Sequence, residues 1–312
     1  MKKHFLLFPL LFVAVFAGRE LPADNQVKAT KVVEVPGYSE GVVFDRAGNA
    51  YISDTINGAI HRVTPDGRAS VWATTGAPNG HKVEGSGTHL VCDGKERAVL
   101  RLDRDGKVLG KAASEYNGQP LRSPNDLTLD PKSGGFYFTD PGGSSVQNPI
   151  GTVHYVDARG KTHLVAEGLA FPNGIVLRPD GRLLVAESQH NRVLVYDVLA
   201  PGKVGPMKVF ATLPTKEGEQ TDNQPDGMCL DADLNLYVAH YGMRQVQVLS
   251  KEGKLLRRYP GGNLTTSNVA FGGPKMDQLY VTGALGDERT TKGALFRLDL
   301  KGVKGLKILP KR

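Results

Sequence analysis

The chain is poor in cysteine, in helical periodicity and in clustered charge. It has two cysteines in 312 residues, and an exported protein could pair them. No segment shows a strong amphipathic helical pattern, so a helical fold is not expected. The formal net charge is +7, but no basic run is interleaved with aromatic residues. That distribution argues against nucleic acid as a partner.

Long apolar runs are also absent, with one exception at the N-terminus. Residues 5–18 are an apolar stretch of 14 residues, which is too short to span a bilayer comfortably. Two lysines precede it, and Val15-Phe16-Ala17 offers a small-residue cleavage site. We therefore predict a signal peptide over residues 1–18, a single domain over residues 19–312, and a periplasmic or secreted protein without membrane contact after cleavage. An uncleaved anchor is the alternative.

The feature that is present is a sixfold repeat. A polar residue leads a short apolar run, a turn and a second apolar run, at intervals of 39 to 53 residues. A second marked position follows each leader after 14 or 15 residues. Repeats of this length that contain strands are typical of β-propellers. The leaders are Glu40, Asn79, Asn125, Asn173, Asp226 and Asn268, and the second positions are Asp54, Asp93, Asp140, Glu187, His240 and Thr282.

These patterns predict an all-β fold, a six-bladed β-propeller with a central metal-binding channel. The first strand of a blade lies nearest the channel, so the leaders should form an inner ring at one end of it. The chain then runs down and back at about 3.3 Å per residue, which places the second positions in an outer ring on the same face. Residues 30–36 could complete the last blade as its outer strand. Cys92 and Cys229 would lie in distant blades, so we predict two buried thiols.

The predicted inner ring offers only oxygen ligands. Two carboxylates and four amides give it a formal charge of −2. Ca²⁺ takes about six to eight oxygens, with water completing the set, whereas Zn²⁺ prefers His or Cys. Two alternatives remain open. The Asn-Gly and Asp-Gly pairs could simply make turns before strands, or an ion in the channel could be purely structural.

Several short motifs, in their order and spacing, carry a resemblance to a known family. They read EGVVF, SPNDL, FPNGIVL, QPDGMCLDADLNLYVA and LYVTG. Together they resemble the family of senescence marker protein, gluconolactonase and luciferin-regenerating enzyme, over roughly residues 38–300. The resemblance implies a six-bladed propeller with a divalent cation, commonly Ca²⁺, in the central channel.

The resemblance also implies roles for particular residues. The metal ligands would be Glu40, Asn173 and Asp226, and Asn125 would bind metal or substrate. Asp226 would also act as general base or nucleophile. Arg122 lies near the place where some members have a substrate-contacting arginine, although it stands three residues before Asn125 rather than two. The motif Glu-Gly-Val replaces the more frequent Glu-Gly-Pro and leaves the ligand Glu40 intact.

The function that these features indicate is a metal-dependent hydrolase, namely a sugar lactonase of the gluconolactonase type that uses metal-activated water. Its partner would be a small-molecule sugar lactone. Hydrolysis of other esters or of organophosphates is a related alternative, and a non-catalytic propeller with a structural Ca²⁺ is a different one. The chain contains no Gly-Xaa-Ser-Xaa-Gly motif, and its absence disfavours a serine hydrolase. The predicted substrate-binding residues are Arg122, Asn79, Asn268, Asp140, Glu187 and His240, the last also as a proton carrier.

Overall fold

The structure, a computed structural model, describes residues 27–215, 224–286 and 292–307, and the predicted signal peptide lies outside them. Within these residues the chain forms six antiparallel sheets of four or five strands and one short hairpin. Each sheet is a blade, and consecutive blades contact one another through their first strands. The fold is the six-bladed β-propeller that the sequence predicts. Among the described residues, no helix combines the length and apolar character that crossing a bilayer requires.

The first strand of the chain closes the ring. Strand β1 (Thr30–Val35) pairs antiparallel with the last strand of the sixth blade, with Val35 opposite Gly293. The prediction that residues 30–36 complete the last blade is therefore confirmed. Because the first and last parts of the chain share one sheet, opening the propeller requires the loss of a whole strand pair.

The first three blades follow directly along the chain. Blade 1 consists of β2 (Ser39–Phe44), β3 (Ala50–Asp54), β4 (Ala59–Val63) and β5 (Ala69–Thr74), and blade 2 of β6 (Pro78–Val83), β7 (His89–Asp93), β8 (Ala98–Leu102) and β9 (Val108–Ala113). The hairpin β10 (Glu115–Tyr116) and β11 (Gln119–Pro120) precedes blade 3, which consists of β12 (Leu127–Asp130), β13 (Gly135–Asp140), β14 (Gly151–Val156) and β15 (Thr162–Leu169).

The last three blades complete the circle. Blade 4 consists of β16 (Pro172–Leu177), β17 (Arg182–Glu187), the 3₁₀ turn Ser188–His190, β18 (Arg192–Ala200), β19 (Lys203–Val204) and β20 (Lys208–Thr212). Blade 5 consists of β21 (Gln224–Leu230), β22 (Leu236–Tyr241), β23 (Gln245–Leu249) and β24 (Leu255–Pro260), and blade 6 of β25 (Thr265–Gly272), β26 (Gln278–Ala284) and β27 (Gly293–Asp299) together with β1.

The core lies between neighbouring blades. Leu184 of blade 4 packs with Val238 of blade 5, and Val246 of blade 5 packs with Val281 of blade 6. All four side chains are fully buried, and burial of each stabilises the fold by roughly 1.5–3 kcal/mol. The second strands of the blades are covered on both faces and contain short continuous apolar runs, such as LLVA in β17 and LYVA in β22, as expected for fully buried strands.

The two cysteines are free and lie in blades 2 and 5. Cys92 is buried, as predicted, whereas Cys229 is only partly buried. Burial raises the pKa of the Cys92 thiol well above its usual value and raises the pKa of Cys229 as well. Both thiols therefore stay protonated at neutral pH, and neither has the thiolate character that a reactive cysteine requires.

Candidate metal centre and active site

In five of the six blades the first strand carries a β-bulge at its ring position. In blade 1, Ser39 pairs with Asp54 and Val42 pairs with Ile52, so two residues of the first strand face one residue of the second. A bulge re-aims a side chain and recurs beside active sites. The same register shift occurs between Pro78 and His81, between Pro172 and Ile175, between Pro225 and Met228, and between Thr266 and Asn268.

Glycine follows most ring residues because the next blade comes too close for a side chain. A methyl group on Gly41 would lie 2.3 Å from the carbonyl oxygen of Asn79, and one on Gly174 would lie 2.2 Å from that of Asp226. The backbone of both glycines is extended within a strand. The turn interpretation of these pairs therefore fails, and the glycines allow the ring residues of adjacent blades to approach one another.

Hydrogen bonds between blades close the ring. The amide of Gly80 donates to the carbonyl oxygen of Asn125 at 2.8 Å. The hydroxyl of Thr139, which faces Asn125 across blade 3, donates to the carbonyl oxygen of Asn173 at 2.8 Å. The geometry thus brings together five predicted leaders, which are Glu40, Asn79, Asn125, Asn173 and Asp226.

Blade 6 differs from the sequence-based alignment by one residue. Thr266 pairs with Gly283 in the way that Ser39 pairs with Asp54, so Ser267 holds the ring position. Asn268 stands where four other blades have glycine, and its amide oxygen accepts the N–H of Val269 at 2.9 Å. The alignment of Asn268 with the other leaders is therefore wrong. A substrate-binding role for Asn268 stays a prediction.

The oxygens of the ring suit a hard cation. Glu40, Asn173 and Asp226 are each 6% exposed. Among the described residues, no hydrogen-bond donor reaches the buried amide oxygens of Asn79 and Asn173. An unsatisfied buried oxygen costs about 1–3 kcal/mol, and coordination of Ca²⁺ would satisfy it. The donor set therefore fits a divalent cation.

Asp126 is a candidate site residue that the sequence analysis missed. Its carboxylate is 1% exposed, with one oxygen accepting the N–H of Leu127 at 2.8 Å and the other without a partner in the described part of the chain. The ammonium group of Lys82 lies 3.6 Å away. Burial raises the pKa of Asp126. The sequence signal for Asp126 is the pair Asn125-Asp126, because four other blades have glycine directly after the leader.

The ring is rich in carboxamides rather than in charged ligands. In residues 27–215, 224–286 and 292–307, no three His, Cys, Asp or Glu side chains form a cluster that could hold a metal. A cation here would depend on amide oxygens and water as well as on Glu40 and Asp226. Because an amide adds no negative charge, the net charge of a bound cation would stay high, which favours Lewis-acid chemistry.

Carboxylates of the predicted outer ring fasten the loops that lead into the first strands. Asp93 accepts the N–H groups of Gly76 and Ala77, both at 2.9 Å. Asp140 accepts those of Arg122 at 2.8 Å and Ser123 at 2.6 Å. These carboxylates are fully buried or nearly so, and their contacts position the ring residue that follows each loop.

Glu187 and His240 have similar surroundings. Glu187 accepts the N–H of Ala170 at 2.9 Å and pairs with Arg192 at 2.6 Å. His240 contacts the side-chain oxygen of Asn191 at 2.9 Å, and burial lowers its pKa to about 3. Its imidazole is therefore neutral at physiological pH, and its surroundings give no support to the proton-carrier role. Substrate binding by Asp140, Glu187 and His240 stays a prediction.

Arg122 is exposed beside the loop of residues 141–150. Its guanidinium group donates to the carbonyl oxygen of Ile150 at 3.1 Å. Gly142 lies against its stem, since a methyl group there would be 2.4 Å from Arg122 Cβ. Arg122 thus holds the loop that the sequence inserts into blade 3, and its contact with substrate stays a prediction.

Comparison with known proteins agrees with this geometry. Residues 38–285 match the family model described as SMP-30/Gluconolactonase/LRE-like region. The chain belongs to this family. It is similar to Lactonase drp35 of Staphylococcus haemolyticus (strain JCSC1435), with 33% identity over 266 residues that cover 81% of this chain and 77% of the relative. It is also similar to diisopropyl-fluorophosphatase of Loligo vulgaris, with 30% identity over 285 residues that cover 81% of this chain and 88% of the relative.

Solved structures of family members share the fold. A gluconolactonase of Xanthomonas campestris aligns with a TM-score of 0.75 and 24% identity, over 89% of this chain and 91% of that one. A calcium-binding protein, regucalcin, of Agrobacterium tumefaciens (strain C58) aligns with a TM-score of 0.77 and 22% identity, over 92% of this chain and 98% of that one. At these identities the likeness concerns the fold alone.

Proposed function

We propose that the protein is a metal-dependent hydrolase that opens a lactone ring, with Ca²⁺ or another divalent cation as cofactor. The observation that carries the proposal is the closed ring of oxygen ligands, in which the buried amide oxygens of Asn79 and Asn173 have no donor among the described residues. Support also comes from relatives named as lactonase and diisopropyl-fluorophosphatase. A purely structural ion would not by itself account for the similarity to hydrolases.

The residues of this chain have distinct tasks in the proposed reaction. Glu40, Asn125, Asn173 and Asp226 hold the cation, which when bound polarises a carbonyl group and lowers the pKa of water. Asp226 is also the general base, because a carboxylate beside the reacting carbonyl can accept the proton of the attacking water. The bulges and the interblade hydrogen bonds keep these side chains in place before substrate arrives, so that little reorganisation is needed during the reaction.

The substrate is proposed to be a small lactone, with a sugar lactone as the first candidate. Asp140 and Glu187 already accept backbone N–H groups, so recognition of sugar hydroxyl groups depends on the rim, where Arg122 and residues 141–150 lie. Organophosphate hydrolysis is the second candidate, and the similarity to diisopropyl-fluorophosphatase favours it. Both substrates present a polarisable oxygen to the same cation.

Export remains part of the proposal. The basic residues at the start and the 14-residue apolar stretch of residues 5–18 support a cleaved signal peptide and a periplasmic or secreted protein. Sequencing the N-terminus of protein made in a bacterial host with an intact export pathway tests this. A mature chain that begins near residue 18 or 19 is expected, and a chain that keeps Lys2 and Lys3 would contradict it.

The activity itself is tested by a proton-release assay. Gluconolactone, other sugar and alkyl lactones, and diisopropyl fluorophosphate are offered to calcium-loaded protein and to chelator-treated protein. We expect lactone turnover that chelation abolishes and that calcium restores. Absence of turnover of all these substrates by calcium-loaded protein would favour a non-catalytic propeller. Turnover that survives Asp226→Asn would leave a metal hydrolase but remove Asp226 as the general base.

A further inference from the structure

The central channel opens away from the metal centre into a cavity of about 740 Å³. This volume is within the range of sites that bind small molecules. Every blade contributes at least two consecutive residues of its first strand to the wall. These include one pair from each blade, namely Val42 and Val43, Lys82 and Val83, Thr128 and Leu129, Ile175 and Val176, Met228 and Cys229, and Val269 and Ala270.

Lys82 is the one charged residue among these twelve wall residues. Its side chain is 20% exposed, and its ammonium group lies 3.6 Å from the Asp126 carboxylate. Its charge acts on the thiols of both Cys92 and Cys229, which belong to blades 2 and 5. An ammonium group has three donors, so Lys82 can contact Asp126 and still donate to a group in the cavity.

The mouth of the cavity is also positively charged. Arg46, Arg297 and Lys307 line it together with one acidic residue, Asp45. The Asp45 carboxylate already accepts hydrogen bonds from Asn49 and from the hydroxyl of Tyr51. Arg297 pairs with Asp299 at 3.2 Å, so Arg46, Lys82 and Lys307 supply the excess of positive charge. Positive charge over apolar walls is unfavourable for a metal ion and favourable for an anion.

We propose that this cavity binds a small amphipathic carboxylate, with its acid group at Lys82 and its alkyl chain along the partly exposed wall residues Val43, Leu129 and Ala270. A carboxylate at Lys82 makes a charge-assisted hydrogen bond in a partly desolvated place. Each methylene group placed against the apolar wall contributes about 0.8 kcal/mol. The site begins beside the metal centre, because the Lys82 ammonium group lies 3.6 Å from Asp126, which follows the proposed ligand Asn125. It extends from there toward the opposite end of the channel, and binding of the carboxylate does not require the proposed reaction.

Calorimetry with decanoate tests the proposal. The titrations use full-length protein in chelator, so that binding of the carboxylate to calcium is excluded, and are repeated in calcium. We expect one saturable site per chain under both conditions. Decanol should bind more weakly, and decyltrimethylammonium should not bind. A site that appears only with calcium, or that accepts the ammonium compound as tightly as decanoate, would overturn the proposal.

Two variants locate the site. Lys82→Met should weaken decanoate binding about tenfold or more, because a hydrogen bond to a charged group is lost. Ala270→Phe should weaken decanoate binding by filling the cavity. This variant leaves the Lys82–Asp126 pair intact, so it tests the site even if Lys82→Met does not fold. The matched control is Lys111→Met, on an outer strand where Lys111 pairs with Glu96. Wild-type affinity in the folded cavity variants would contradict the assignment.

Discussion

The hydroxyl group of Thr282 donates a hydrogen bond of 2.6 Å to the backbone carbonyl oxygen of Glu40. Thr282 lies in blade 6 and Glu40 in blade 1, so this bond joins the two ends of the propeller beside the candidate metal centre. Both residues are buried. The position of the Glu40 carboxylate therefore depends on the closure of the ring, and metal affinity and fold stability should be linked.

Replacing Thr282 tests this link. Thr282→Val keeps the shape of the side chain and removes the donor, which should lower the free energy of unfolding by about 1 kcal/mol or somewhat more because the acceptor is buried. Calcium affinity should fall as well. Urea unfolding and calorimetric calcium titration measure the two effects. Thr74→Val, at an exposed position of an outer strand, is the control. If Thr282→Val is destabilised but binds calcium with unchanged affinity, the geometry of the metal centre does not depend on the closure of the ring.

Glycine is required directly after the ring residue, because the next blade lies too close for a larger side chain. Gly174→Ala would place a methyl group 2.2 Å from the carbonyl oxygen of Asp226, and the resulting displacement should cost about 2 kcal/mol or more. Gly205→Ala is a matched control, because its nearest atom outside the adjacent residues would be 3.7 Å away. Thermal unfolding compares the two variants. Equal melting temperatures would contradict the close approach of blades 4 and 5.

Replacing Asp140 shows whether its carboxylate mainly holds the loop at Arg122 and Ser123 or binds substrate. Its carboxylate accepts the N–H groups of Arg122 and Ser123, so Asp140→Ala should destabilise the protein by roughly 2 kcal/mol. If fastening is its main role, calcium affinity should drop along with stability. Steady-state kinetics and urea unfolding are measured on the same preparation. A raised KM with wild-type stability and wild-type calcium affinity would instead identify Asp140 as a substrate contact.

Buried histidines predict loss of stability in acid. Burial lowers the pKa of His89 and His154 to about 4 and that of His240 to about 3, from the ordinary 6.5. The unfolded chain therefore takes up these protons at a higher pH than the folded chain. Stability should be fully present above about pH 6.5 and should fall as the pH approaches about 4, by up to about 1.4 kcal/mol per pH unit for each histidine.

Urea unfolding in chelator, at a series of pH values, measures this slope. The variant His154→Gln provides the comparison, since it removes one of the buried histidines that take up a proton on unfolding. Its stability should change less steeply with pH than that of the wild-type protein, even if its stability at neutral pH is lower. A flat profile between pH 6.5 and 4, or equal slopes for the two proteins, would show that the histidines do not bind protons on unfolding.

The blade count and the ring were predictable from the sequence because they depend on local patterns. A polar leader before an apolar strand recurs in every blade, and Glu40, Asn79, Asn125, Asn173 and Asp226 all reach the ring position. Blade 6 was misaligned because Asn268, which is next to the bulged residue Ser267, resembles the amide leaders of the other blades more closely than Ser267 does. Gly283, which pairs with Thr266 in the way that Asp54 pairs with Ser39, has no polar side chain that could mark the position.

The roles of the outer residues could not be read from the sequence. A buried aspartate that binds substrate and one that accepts backbone N–H groups have the same letter and the same spacing. What distinguishes them is where a loop of the same blade folds back, as at Asp93 and Gly76. Asp126 was overlooked for a related reason. Its importance depends on burial and on the approach of Lys82 from a neighbouring blade, and neither leaves a periodic signal.

Calorimetric titration of calcium into chelator-stripped protein tests the central claim most directly. We predict one site per chain in the wild-type protein and a large loss of affinity in Asp226→Asn, because one of the two ring carboxylates is removed. Asp197→Asn, at an exposed position where Asp197 pairs with Lys208, should bind calcium like the wild-type protein. Absence of binding to the wild-type protein, or undiminished affinity in Asp226→Asn, would contradict a cation held by the ring.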